Sequence, residues 1–239
     1  MITNKQIIIL HGWRLYSSKY GLLVKFLEAK NNKVYVPDLP GFGKSSKAER
    51  PYRLDDYVDF LSLYIKQHKI KNPIIIGHSF GGRVALKYCA KYPKYASYLI
   101  LTGVPGFIPV NRYKIYFFYI ISKIGGVVFR IPMLCKIQSI ARKLLYRMAG
   151  ASDYMHTDGY MRDTFKSVIR EDLLLPMKNL RIPTILVWGG SDSIVPLSVA
   201  AQMNKTISGS KMVVVKNASH RLPYESPNDF LDKLSGYIK

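Results

Sequence analysis

The sequence predicts one α/β domain: a mostly parallel sheet of about six strands, helices on both faces, and one helical insertion. Three observations carry this. Short apolar runs at 6–10, 34–36, 74–76, 98–101, 182–188 and 212–215 have strand length and are separated by segments of helical spacing. That alternation is the signature of parallel strands joined by helical crossovers. It breaks once, between 104 and 175, where aromatic and basic residues crowd together with helical spacing in several stretches. The expected division is therefore a core of 1–103 plus 176–239 and a helical insertion of 104–175. With 239 residues, 48% of them hydrophobic, the chain has ample core material, and it shows no internal repeat.

Each element follows from its residues. Gln6-Ile7-Ile8-Ile9-Leu10 is a continuous apolar run, as expected for a strand covered on both faces. His11-Gly12-Trp13 ends it. Leu22, Leu23, Phe26 and Leu27 mark a helix that Asn31-Asn32 stops. Val34-Tyr35-Val36 leads into the loop Asp38-Leu39-Pro40-Gly41-Phe42-Gly43-Lys44-Ser45. Its Gly-Lys-Ser is not a phosphate-binding loop, because that pattern needs glycine where Asp38 stands. Tyr57, Val58, Leu61, Tyr64 and Ile65 form a helical stripe. Phe230, Leu231, Leu234 and Ile238 form another at the carboxyl end.

The most informative stretch is Pro73-Ile-Ile-Ile-Gly77-His78-Ser79-Phe80-Gly81-Gly82. A buried strand runs into Gly-x-Ser-x-Gly, and a helix-like segment from Arg83 to Ala90 follows. Chance supplies three such fixed positions in roughly 0.1 of chains this long, so the strand and helix around them decide. Gly77 and Gly81 let the chain double back, and Ser79 is held at the tip. The amides opening the next helix face any negative charge that forms beside it.

Two further polar groups follow strands: Asp192 in Trp188-Gly-Gly-Ser-Asp192, and His220 in Asn217-Ala-Ser-His220. In open α/β sheets ligands bind at the carboxyl ends of strands, so Ser79, Asp192 and His220 should converge on one edge. Their order, Ser–Asp–His, is that of one known hydrolase arrangement. Asp38 is the competing acid and reads better as a turn former. His11 and His78 read as loop-shaping, and His68 and His156 carry no signal. Arg83 sits at a helix start, where positive charge is disfavoured. It reads as a solvated arginine, with contact to a substrate carboxylate as the alternative.

The formal net charge is +21, with no Asp or Glu between Asp59 and Asp153. Such a surface attracts anions. The lysines are scattered and no nucleic-acid motif accompanies them, so a general lysine bias explains them and no nucleic acid is expected as partner. The apolar run from Tyr116 to Ile121 is too short to cross a bilayer. It reads as a buried helix, with weak association to an anionic membrane surface as the alternative. Cys89 and Cys135 make neither a disulfide framework nor a metal site. The amino-terminal residues lack a signal-peptide layout. A cytoplasmic location is the expectation.

Taken together, His11-Gly12-Trp13, the 38–45 loop, Gly77-His-Ser-Phe-Gly-Gly82, Trp188-Gly-Gly-Ser-Asp192 and Asn217-Ala-Ser-His220 resemble the α/β-hydrolase fold family, in its carboxylesterase and carbon–carbon hydrolase branch. The resemblance covers the chain except the insertion, which it makes a cap over the pocket. It implies Ser79 as nucleophile, His220 as base, Asp192 as the acid that orients it, and an oxyanion hole from the backbone N–H groups of Trp13 and Phe80. It implies no cofactor and no metal. The family core often begins with an antiparallel strand pair; only Met1–Lys5 precede the first strand here, and the sheet is expected to be shortened at that edge. Relatives that place an aspartate at position 79, the epoxide hydrolases and haloalkane dehalogenases, are disfavoured by the serine.

The expected function is a serine hydrolase cleaving a carboxylic ester or related small acyl substrate through an acyl-enzyme. Carbon–carbon bond hydrolysis with the same three residues is one alternative. A non-catalytic binding protein with a basic membrane- or anion-binding cap is another. An imidazole base must be neutral, so activity is expected to fall below about pH 6 to 7.

Overall fold

A computed structural model describes residues 2–106 and 159–238. Most of the expected cap, including the Tyr116–Ile121 run, Cys135 and His156, lies outside the described residues.

Six strands form one sheet: β1 (Gln6–Leu10), β2 (Lys33–Tyr35), β3 (Ile74–His78), β4 (Tyr98–Thr102), β5 (Thr184–Gly189) and β6 (Lys211–Val215). Their spatial order is β2-β1-β3-β4-β5-β6. Every neighbouring pair is parallel. β2 is the edge beyond β1, and no antiparallel pair precedes β1 among the described residues. Helices α1 (Gly21–Glu28), α2 (Leu54–Gln67), α3 (Phe80–Lys91), α4 (Gly159–Arg170), α5 (Leu174–Asn179), α6 (Leu197–Thr206), α7 (Leu222–Glu225) and α8 (Pro227–Leu234) connect and cover the strands.

The isoleucine runs now have a reason. Side chains alternate across a strand. Ile8, Leu10, Ile75, Leu99 and Leu186 join the core under α2, α3, α5 and α6. Ile7, Ile9, Ile74, Ile76 and Ile185 join a second core under α1 and α8. Both faces are dry, so alternating polar residues would be wrong on either one. Burying one such side chain contributes about 1.5–3 kcal/mol. The helix break at Asn31 and Asn32 is also specific. Asn31 adopts a φ of 57°. The Asn32 amide donates to Leu27 O at 2.8 Å and Ile2 O at 2.9 Å, and its carbonyl accepts from Lys5 N–H at 3.0 Å.

After β1 the chain moves outward to β2, then returns to place β3 on the other side of β1. The crevice between the ends of β1 and β3 is therefore the switch point of the sheet, where open α/β folds bind ligands. His11-Gly12-Trp13 and Ser79 both leave the sheet there.

Candidate active site

β3 carries Ser79 to the sheet edge and α3 begins one residue later. A Cβ on Gly77 would lie 2.5 Å from the Gly82 Cα. Glycine at both positions is what lets α3 descend onto β3. Ser79 has φ 52° and ψ −115°, a strained conformation for a residue with a side chain. The surroundings hold it there. Its N–H donates to Thr102 O at 2.9 Å, and its C=O accepts from Gly82 N–H at 3.0 Å and Arg83 N–H at 3.3 Å. Phe80 opens α3, so its amide has no carbonyl one turn back within the helix.

Asp192 and His220 meet. The His220 Nδ1 and Asp192 Oδ2 are 2.8 Å apart, with side chains 11% and 1% exposed. The other Asp192 oxygen accepts from Ile194 N–H at 2.9 Å and Val195 N–H at 2.8 Å. The carboxylate is thus fixed at both oxygens before it touches the imidazole. Two backbone bonds join the loops that carry the pair: Gly190 N–H to Val215 O and Ser191 N–H to Ala218 O, each 2.9 Å. The Trp188 indole N–H donates to Val195 O at 2.9 Å and closes the acid loop from below.

Gly103 is the floor of this pair. It has φ 59°, and a Cβ there would lie 2.7 Å from two atoms of the His220 ring and 3.4 Å from Asp192 Oδ2. It follows Thr102, whose carbonyl holds Ser79, so one strand end seats both the serine backbone and the imidazole. Among the described residues no hydrogen bond reaches the Ser79 hydroxyl.

The loop after β1 is equally constrained. The Gly12 carbonyl accepts from Leu15 N–H at 3.1 Å and lies 2.9 Å from His11 Nδ1. A carbonyl only accepts, so Nδ1 of His11 carries the proton. His11 Nε2 must then accept, and it does so from Leu39 N–H at 2.9 Å. Burial lowers the pKa of this imidazole, which keeps it neutral in that tautomer. The Gly12–Trp13 peptide is planar and trans, so fixing the Gly12 carbonyl fixes the direction of the Trp13 N–H. The Trp13 ring packs edge-on against Phe42 and Phe80, and against Phe165 of α4 at 5.0 Å.

Two expectations about charged residues resolve differently. Asp38 is a loop former as expected: it accepts from Ser17 N–H at 2.6 Å and Lys44 N–H at 2.8 Å. Arg83 is neither solvated nor turned toward a substrate. It is 2% exposed, and its guanidinium donates to Pro105 O, to Val168 O at 2.9 Å, and to Glu171 O. Burial pushes its pKa down to about 10, and it stays charged at neutral pH. The orphan carbonyls ending α4 draw the cation in and offset the unfavourable helix start. Among the described residues no group of three or more His, Cys, Asp or Glu side chains could hold a metal ion.

The family model described as serine aminopeptidase, S33 matches residues 2–227. The chain belongs to this family of α/β hydrolases. The hydrolase YugF of Bacillus subtilis is 25% identical over 99% of this chain and 90% of its own length. Among solved structures, a bromoperoxidase from Bacillus anthracis matches with a TM-score of 0.74 at 22% identity, covering 98% of this chain and 91% of that one. An esterase from Exiguobacterium antarcticum matches with a TM-score of 0.74 at 20% identity, covering 99% and 92%. The fold and family resemblance read from the motifs is correct.

Sequence reasoning missed Gly103 and Tyr20. Gly103 had a signal, since it directly follows the strand beside the serine strand. Tyr20, in a turn of 3-10 helix before α1, had none.

Proposed function

We propose that this chain is a serine hydrolase that cleaves a carboxylic ester or related acyl substrate. The observation that carries the reading is the buried His220–Asp192 hydrogen bond seated on Gly103. Because Asp192 accepts only, Nδ1 of His220 holds the proton and Nε2 keeps its lone pair. That is the tautomer a base needs. In the proposed reaction, Ser79 Oγ attacks the acyl carbon while His220 Nε2 takes the hydroxyl proton. The tetrahedral oxyanion accepts from the Phe80 and Trp13 N–H groups. The bond to the leaving group breaks as His220 returns the proton to it. Water then attacks the acyl-enzyme with His220 again as base, freeing the acid and Ser79. Asp192 stays ionised and stabilises the transient imidazolium.

The segment 104–175 is proposed as the cap over this site. Phe165 against Trp13, and Met161 against Gly41, support it, since both come from α4. The similarity to an esterase structure is consistent with the substrate class. The test is turnover of short p-nitrophenyl esters by wild type and Ser79→Ala. Wild type is expected to turn over and the variant not. Equal rates would reject the proposal.

A further inference from the structure

The mechanism leaves two buried groups without a role: Tyr20, fully buried, and His78, 1% exposed. They are joined to each other and to both halves of the site. His78 Nε2 lies 2.9 Å from the backbone carbonyl of His220. His78 Nδ1 lies 2.7 Å from the Tyr20 hydroxyl. That hydroxyl in turn receives the Gly12 N–H at 3.2 Å.

Chemistry assigns every proton along this path. The His220 carbonyl cannot donate, so Nε2 of His78 carries the hydrogen. Nδ1 of a neutral imidazole must then accept, so the Tyr20 hydroxyl donates to it. The phenol oxygen keeps a lone pair, which the Gly12 amide fills. The direction is single-valued: Gly12 N–H to Tyr20 O–H to His78 Nδ1, then His78 Nε2–H to His220 O. A second protonation of His78 would make Nδ1 a donor and take away the acceptor that the Tyr20 hydroxyl hydrogen now has. Burial holds this imidazole neutral, its pKa down to about 3. Burial also raises the Tyr20 pKa, so the phenol keeps its proton. The titratable groups facing His78 are Tyr20, Tyr224, His220 and His11; the Tyr224 ring lies 5.6 Å from Tyr20 and 5.8 Å from His78.

We propose that Tyr20 and His78 are positioning residues that tie the loop bearing the Trp13 oxyanion donor to the loop bearing the base His220. The proposal rests on the serine-hydrolase reading and deepens it. Gly12 is gripped at both ends: its carbonyl by His11 and Leu15, its N–H by Tyr20. The His220 backbone is gripped by His78, the immediate neighbour of Ser79. One chain of hydrogen bonds therefore sets the separation of nucleophile, base and oxyanion donor. Misplacing such groups by about 1 Å can cost about 100-fold in rate.

The test uses full-length wild type, Tyr20→Phe, His78→Gln and the double variant. Tyr20→Phe keeps the ring and loses only the hydroxyl. In short-ester turnover, kcat is expected to fall about 10- to 100-fold in each single variant, with KM within about two-fold. The double variant should lose about as much as the worse single, because the two act as one path. Nitrogen NMR of the wild-type imidazoles should show His78 neutral, protonated at Nε2, from pH 5 to 8. A folded Tyr20→Phe with kcat within two-fold of wild type overturns the proposal. So does a His78 that titrates near pH 6.5 or carries its proton on Nδ1. If His78→Gln does not fold, Tyr20→Phe and the NMR decide. A wild type that neither turns over esters nor takes a fluorophosphonate at Ser79 overturns the hydrolase reading, and the positioning role falls with it. The NMR then reports separately whether the hydrogen-bonded path exists.

Discussion

Asp192 uses its two oxygens for different tasks. Oδ1 is held by the Ile194 and Val195 amides, and Oδ2 takes the imidazole proton. Asp192→Asn would preserve the first task and reverse the second, because an amide nitrogen facing His220 Nδ1 donates rather than accepts. The imidazole would then carry its proton on the wrong nitrogen. We expect kcat for a short ester to fall by about 10³–10⁴ with the fold intact. A loss below about tenfold would show that Asp192 does not set the tautomer. Ser79, Asp192 and His220 were legible as candidates because Ser79 directly follows β3 and the other two sit in the loops just after β5 and β6, where the sheet geometry leaves little choice of location. Arg83 was not. Its partners lie 22, 85 and 88 positions away along the chain, and no local pattern announces carbonyls that arrive from a distant helix end.

At the scale of elements, α3 is the piece on which the others are hung. Its first turn presents Phe80, and its second carries Arg83 into the carbonyls of Pro105, Val168 and Glu171. One turn further, Lys87 bridges Asp55 of α2 at 2.7 Å and Glu171 at 2.5 Å. The helix that opens with Phe80 therefore also holds the carboxyl end of α4. Arg83→Met would take the guanidinium from three carbonyls, leaving Val168 O only the long contact from Glu171 N–H at 3.4 Å. Hydrogen bonds to a charged group contribute about 1.5–3 kcal/mol each, and shared ones do not add fully. We expect a loss of about 3 kcal/mol or more in urea unfolding, against under about 1 kcal/mol for a solvated arginine. A small change would return Arg83 to the surface role its position first suggested. The strands and most helices were legible at this scale, since apolar runs of five residues and stripes at helical spacing are local signals. The roles of Gly103 and Tyr20 were not, because both come from packing between elements distant in sequence.

At the scale of the whole molecule, two buried neutral histidines shape the acid response. His78 has its pKa lowered from 6.5 to about 3 and His11 is lowered as well, both through burial. The native state therefore stays unprotonated at these sites while the unfolded chain takes up protons below pH 6.5. Stability is fully present above that pH and is lost as pH falls toward the folded value. For His78 alone, the step from pH 7 to pH 5 costs about 2 kcal/mol. Urea unfolding of wild type and His78→Gln at both pH values isolates this contribution, because the carboxylates titrate alike in the two proteins. Wild type should lose about 2 kcal/mol more across the step; equal losses would contradict the buried, neutral assignment. The +21 charge was plain in the sequence but placed no site. No helix among the described residues is long and apolar enough to cross a membrane.

The most direct measurement is covalent labelling by a fluorophosphonate at neutral pH, followed by mass mapping of the adduct, in wild type and in His220→Ala. A serine made nucleophilic by a neighbouring imidazole should give one adduct, on the peptide that contains Ser79, and the adduct should vanish when His220 is removed. No adduct, an adduct on another residue, or undiminished labelling without His220 would contradict the account.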